Sequence, residues 1–155
     1  MAYAYIGIQA YKLGIGIYKM IHADIFKSLG DETRLRIVNL LLACDSLCVC
    51  EMVDTLKIPQ YQISKHLMIL KNSGVVDVRR RGTWSYYCLK RDGGLNKMLF
   101  SFLKKFLNSE DLEKDKSNLE FRLLIREEGK CVVGFVAQKE LSRMIDNKRR
   151  ILLKT

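Results

Sequence analysis

Between Asp31 and Leu89 the spacing of apolar residues changes from helical to alternating, and the order of those changes constrains the fold more than any other feature. Asp31 stands where a helix N-cap belongs, and Leu35, Ile37, Val38, Leu41 and Leu42 follow at helical spacing. After a break at Asp45-Ser46, a brief helix is predicted from Cys50 to Leu56, with Val53 and Leu56 as its inward pair. Lys57-Ile58-Pro59 forms a turn, and Pro59, the only proline, fits just inside the next helix, where its missing N–H costs nothing. That helix runs from about Gln60 to Asn72, buries Ile63, Leu67 and Leu70, and ends at Ser73-Gly74, the glycine suited to a left-handed cap. Val75 to Arg79 then reads as a strand, Arg80 to Thr83 as a tight turn, and Trp84 to Leu89 as the return strand. Helix, helix, turn, helix, hairpin is the order of a winged helix-turn-helix, mainly α with a small β-hairpin.

The flanks are less regular. Residues 1–19 alternate Tyr, Ile, Gly and Ala without caps or period. Two readings stay open: Met20 is the initiator, or the leader is a real arm. Ile25, Phe26 and Leu29 suit a short helix stopped at Gly30. After Gly93-Gly94 comes an amphipathic helix whose apolar face is Leu95, Met98, Leu99, Phe102 and Phe106. That face, and the phenylalanines at 100, 102 and 106, exceed what a domain of this size needs, so the helix is expected to pack on a second copy. A charged helix capped by Asn108 and stopped at Gly129 is predicted next, with Leu112, Leu119 and Leu123 inward. Lys130 to Phe135 reads as a short strand, and a basic helical tail carries Leu141, Ile145 and Leu152.

Charge decides the class of partner. The chain of 155 residues has a formal charge of +10, and ten basic residues face only Asp77 and Asp92 between positions 60 and 107. This is the segment that holds the helix expected to read a groove and the hairpin, and such a bias favours a polyanion. Gln60, Tyr61, Gln62, Ser64 and Lys65 offer amide, hydroxyl and ammonium groups to base edges and phosphates in a major groove. Arg79, Arg80, Arg81 and Thr83 at the hairpin suit contacts to the backbone beside it. No apolar run is long enough to span a bilayer, so no membrane partner is expected.

Five cysteines, at 44, 48, 50, 88 and 131, follow no secretory signal, so reduced thiols in a cytoplasmic setting are expected. Cys48-Val49-Cys50 places two soft thiolates close together. Two buried structural cysteines would give the same pattern, and the pair alone leaves both readings open. If both lay within a regular helix they would point apart, and only a frayed helix start would let them share one ion. Binding would then strain the helix beside the groove-reading one.

Ala23-Asp24-Ile25-Phe26-Lys27-Ser28-Leu29-Gly30-Asp31-Glu32-Thr33-Arg34-Leu35-Arg36, Leu47-Cys48-Val49-Cys50-Glu51, Gln62-Ile63-Ser64-Lys65-His66-Leu67 and Arg80-Arg81-Gly82-Thr83-Trp84 together resemble the ArsR/SmtB family of metal-sensing repressors. The resemblance spans about residues 22–108, between an N-terminal extension (1–21) and a charged helical C-terminal extension (109–155) with a Gly-Lys-Cys segment. It implies a homodimeric repressor on palindromic double-stranded operator DNA, needing no cofactor to bind it. Release would follow binding of arsenite, antimonite or a soft divalent ion such as cadmium, and the dimer helix would be the one from Leu95 to Leu107. The family's arsenite pattern places a third cysteine where this chain has Val53. The implied ligand set is therefore Cys48, Cys50 and a borrowed third thiolate: Cys131, from a mobile tail closing over the site in the same subunit or its partner, or else Cys44. A zinc-type site on the dimer helix is not expected, because His66 is the last histidine. His66 itself is expected to pack behind its helix, and Trp84, Tyr86 and Tyr87 in the wing.

Other classes fit less well. A thiol-redox enzyme would want Cys-x-x-Cys near a βαβ pattern, and no phosphate loop or nucleophile–base set is present, so the chain is not expected to be an enzyme. A metal carrier leaves the basic segment without a use. A repressor of the same build switched by thiol oxidation is the strongest alternative.

Overall fold

The structure is a computed structural model that describes residues 17–154. The readings placed on residues 1–16 and on the side chains to residue 21 lie outside it. The first helix among the described residues, α1 (Ile17–Leu29), buries Ile25 and Leu29 and ends at Gly30. Asp31 then caps α2 (Glu32–Ala43): its backbone is extended and its carboxylate accepts from the Arg34 N–H at 3.0 Å. Helix α2 supplies Ile37, Val38, Leu40 and Leu41 to the centre of the core, and burying each of these side chains contributes about 1.5–3 kcal/mol.

The next element was not expected. Leu47–Cys48 is a two-residue strand, β1, and it leads directly into α3 (Val49–Leu56). Met52 rather than Val53 is fully buried from α3, alongside Leu56. Lys57, with φ 57°, turns the chain, and α4 (Gln60–Asn72) follows. Pro59 sits one position earlier than expected, at the N-cap, with ψ 145°. Ile63, Leu67 and Leu70 are fully buried, as their spacing predicts, and Gly74 takes the left-handed cap at φ 76°.

Strands β2 (Val76–Arg81) and β3 (Trp84–Leu89) form the wing, in a three-stranded antiparallel sheet of order β1-β3-β2. Leu47 pairs with Tyr87 and Cys48 with Tyr86. The turn is tighter than expected: Arg80 and Arg81 are paired with Ser85 and Trp84, and Gly82 at φ 60° carries the reversal.

Helix α5 (Gly94–Phe106) buries Phe100 and Leu103 in the chain's own core, so Phe100 is not part of an outward stripe. Asn96 fastens α5 to the wing base by donating to Gly74 O and Lys90 O at 3.0 and 2.7 Å. Helix α6 (Glu110–Leu123) is capped by the Ser109 hydroxyl, not Asn108, and it is held to α2 by a two-pronged Arg36–Asp115 pair at 2.7 and 2.8 Å. It stops at Leu123, short of the expected Glu128, because the chain turns Ile125 and Arg126 inward and then passes Glu128 and Gly129 in left-handed conformations. Residues 130–135 form no strand beyond a single bridge between Glu127 and Lys130, since the Val133 carbonyl is taken by side chains instead. A last helix, α7 (Gln138–Leu152), packs Leu141 inward. No helix among the described residues is long and apolar enough to cross a membrane.

Candidate functional site

Three sulfurs meet in one buried place. Cys48 Sγ lies 2.8 Å from Cys50 Sγ, Cys50 Sγ lies 3.5 Å from Cys131 Sγ, and all three fall within 4.8 Å of one another. None of the three residues is more than 2% exposed. The expected fraying of a helix start is not what brings Cys48 and Cys50 together. Cys48 ends β1 with extended backbone (φ −88°, ψ 164°) and precedes the helix, while Cys50 stands in its first turn, so both sulfurs face one side without distortion. Cys131 comes from the same chain, 81 positions on, and is buried rather than on a loose tail. Cys44 is outside the group, its sulfur turned to Ser46 O and the Arg126 guanidinium, and Cys88 lies half-buried on β3.

The donor set suits a soft ion. A thiolate–metal bond of about 2.3 Å places sulfurs about 3.8–4.0 Å apart around one ion, inside the spread of distances observed. Charge limits what the thiols do alone. Two thiolates about 4 Å apart repel by about 4 kcal/mol at an effective dielectric constant of 20, so without a cation one ionises and the others stay protonated. Hydrogen bonds from Cys48 and Cys50, and then the Arg122 guanidinium, hold the Cys131 thiol well below its usual range. The same bonds to Cys131, together with burial, push Cys48 up and Cys50 up to about 12. Cys131 is thus the most acidic of the three thiols.

The surroundings were not foreseen from sequence. Glu51 is fully buried, and its Oε2 accepts from the Cys48 N–H at 2.9 Å. Arg126 closes on both Glu51 oxygens at 2.7 and 2.8 Å. Arg122, 2% exposed, pairs with Asp54 at 2.7 Å and donates to Val133 O at 2.8 Å. Tyr86 accepts from the Cys131 N–H at 2.8 Å, and Trp84 packs against the cluster. Cys48-x-x-Glu51 has the spacing of a capping box, the one signal that points to Glu51. Arginines are seldom buried, so nothing marked Arg122 or Arg126.

The residues expected on DNA lie on two elements. On α4, Gln60, Tyr61, Ser64 and Lys65 are exposed, and Gln62 is half-buried, donating to the Tyr61 hydroxyl at 2.8 Å. On the wing, Arg79, Arg80, Arg81 and Thr83 are exposed. Arg81 lies over the Tyr86 ring, 5.6 Å from its centroid, so wing and sulfur cluster share a side chain. His66 is half-buried with Nδ1 3.6 Å from Asp31. On α5, Met98, Phe102 and Phe106 are exposed, while Leu95 and Leu99 are half-buried against the core.

Residues 31–78 match the family described as "Bacterial regulatory protein, arsR family". An uncharacterized HTH-type transcriptional regulator of Methanocaldococcus jannaschii is 51% identical over 70 residues, which are 45% of this chain and 79% of that one. An arsenic resistance transcriptional regulator of Pseudomonas putida is 47% identical over 66 residues, which are 43% of this chain and 57% of that protein's length. Among solved structures, the homodimeric winged helix-turn-helix DNA-binding domain of a possible ArsR-family transcriptional regulator from Mycobacterium bovis is similar with a TM-score of 0.51. It is 28% identical, and the match covers 58% of this chain and 81% of that one.

Proposed function

This chain belongs to the arsR family of bacterial regulatory proteins, and from that premise we propose that it is a homodimeric repressor released from operator DNA by a thiophilic inducer. Cys48, Cys50 and Cys131 would hold the inducer, which is arsenite, antimonite or a soft divalent ion such as cadmium. The observation that carries the reading is the meeting of three buried sulfurs, two from the start of α3 and one from the segment after α6, within 4.8 Å. Bound there, a soft ion would supply a crosslink between these two segments. The chain's own residues do the rest. Hydrogen bonds from Cys48 and Cys50, with the Arg122 guanidinium behind them, favour Cys131 as the first sulfur to engage, and burial excludes water from the site.

Gln60, Tyr61, Gln62, Ser64 and Lys65 would enter the major groove, with Arg79, Arg80, Arg81 and Thr83 on the flanking backbone. The exposed Met98, Phe102 and Phe106 of α5, with Leu95 and Leu99 behind them, would join two copies across a palindrome. The experiment is fluorescence anisotropy of the reduced protein on its own upstream DNA, titrated with arsenite and with cadmium. Release by either ion, lost in Cys131→Ser, supports the reading. Tight binding to DNA that ignores both ions overturns the inducer. The close approach of Cys50 to both other sulfurs also favours a second reading, release by thiol oxidation, in which two thiols give two electrons and two protons to an oxidant such as diamide. That reading requires diamide, and neither ion, to free the DNA.

A further inference from the structure

We propose that Arg126 and Glu51 are positioning residues of the sulfur cluster: their buried ion pair is a latch that holds the segment carrying Cys131 over Cys48 and Cys50. The inference rests on the reading of that cluster as the inducer site. Glu51 joins both sides of the latch. Its two oxygens are gripped by Arg126 Nε and Nη2 at 2.7 and 2.8 Å, and Oε2 also takes the Cys48 N–H at 2.9 Å. Arg126 Nη2 reaches on to Ser46 O at 2.8 Å, just before β1. Five residues after Arg126 the chain arrives at Cys131.

Apolar packing does not account for this placement. Between Arg126 and the start of α7, Cys131 is the single fully buried residue, and Val132 and Phe135 stand 46% and 52% exposed. What holds the segment is polar: the Arg126–Glu51 pair at one end, and beyond it Arg122 donating to Val133 O and Tyr86 accepting from the Cys131 N–H. Fully opening a two-pronged pair on a buried carboxylate strands a charge away from water, which favours the closed arrangement. The latch is closed, with three sulfurs together, or open, with two.

The test uses Arg126→Lys, which keeps the charge and loses the two-pronged grip, and the double variant Glu51→Gln/Arg126→Gln, which strands no charge. Cys131→Ser is the reference, and far-UV circular dichroism checks the fold of each. One readout is the ultraviolet thiolate-to-cadmium absorption per bound ion. The other is alkylation of Cys131 by iodoacetamide, followed by mass spectrometry without any ion. Both latch variants are expected to give the two-thiolate intensity of Cys131→Ser, to bind cadmium about 10- to 100-fold more weakly than the parent, and to lose the protection of Cys131. Parent-like protection of Cys131 in folded variants overturns the latch, as does full three-thiolate absorption. A parent protein with no thiolate absorption would instead overturn the inducer site, and alkylation would still decide the latch.

Discussion

The hydroxyl of Tyr86 accepts a 2.8 Å hydrogen bond from the backbone N–H of Cys131, and the other face of this contact is the wing, where Arg81 lies over the same ring. A single aromatic side chain therefore touches both the third sulfur's backbone and a residue proposed to bind DNA. Drawing three sulfurs that lie within 4.8 Å of one another around one ion would change their spacing, and Tyr86 is positioned to pass any shift of Cys131 to Arg81.

Tyr86→Phe removes this link and leaves the ring. The Cys131 N–H loses its partner in a buried setting, so stability should fall by about 1–3 kcal/mol in urea denaturation. Cadmium should still bind, because no sulfur is lost, while cadmium-driven release of DNA weakens. Release equal to the parent's would mean the signal bypasses the wing.

Lys65→Ala on α4 and Arg80→Ala on the wing remove exposed charges that make no contact within the fold's core. Each should lower DNA affinity and reduce the slope of log affinity against log salt by about 1, with thermal stability nearly unchanged. Anisotropy titrations at several salt concentrations measure the slope. An unchanged slope in both would take these residues off the phosphate backbone.

Some of this was legible in the sequence. Asp31 announces α2 because a cap is a local device, and Ile63, Leu67 and Leu70 announce α4 because a buried stripe repeats every three to four residues. Strand β1 is two residues long, too short to show any period, and exists only through its pairing with Tyr86 and Tyr87 nearly forty positions away. The same holds for the site. Cys48 and Cys50 are adjacent by spacing, and Cys131 enters the sequence reading only through a family resemblance and a missing third cysteine. The ion pairs Arg126–Glu51 and Arg122–Asp54 join positions about seventy residues apart, and burying an arginine contradicts its usual preference. Residues 124–135 carry no period because polar contacts, not a packed face, set their course.

Phe102 and Phe106 stack with ring centroids 4.7 Å apart, yet both remain more than half exposed. Phe102→Glu places a charge in that apolar patch. Sedimentation should shift from dimer to monomer, and DNA affinity should drop with it, since a monomer meets one half-site. A parent protein that is already monomeric at micromolar concentration would move the interface elsewhere.

Stability should vary with pH in two opposite limbs. Cys131 is held below the ordinary thiol value of 9.0, so below that pH the unfolded chain binds the extra proton and stability rises as pH rises. Cys48 and Cys50 are pushed above it, so beyond pH 9 the unfolded chain sheds protons first and stability falls, by up to about 1.4 kcal/mol per pH unit for each thiol. Denaturation midpoints measured from pH 6 to 10.5 should show this turn. The alkaline limb should flatten in Cys48→Ser/Cys50→Ser, and an equally steep fall in that variant would assign the loss to other groups.

Trp84, the chain's one tryptophan, makes the cluster visible without a label. It is half-buried and packs against Cys48, Cys50, Cys131 and Tyr86, and a Cβ built on Gly134 would come within 3.2 Å of its ring. Any rearrangement of the sulfurs or of the segment through Gly134 therefore changes what the indole touches. Cadmium titrated into the reduced protein should alter Trp84 emission until one ion per chain is bound. Cys131→Ser should weaken that response, and Gly134→Ala should change the emission before any ion is added, because the extra methyl displaces the ring. Emission that ignores the ion in the parent, with cadmium bound by an independent measure, would separate Trp84 from the site.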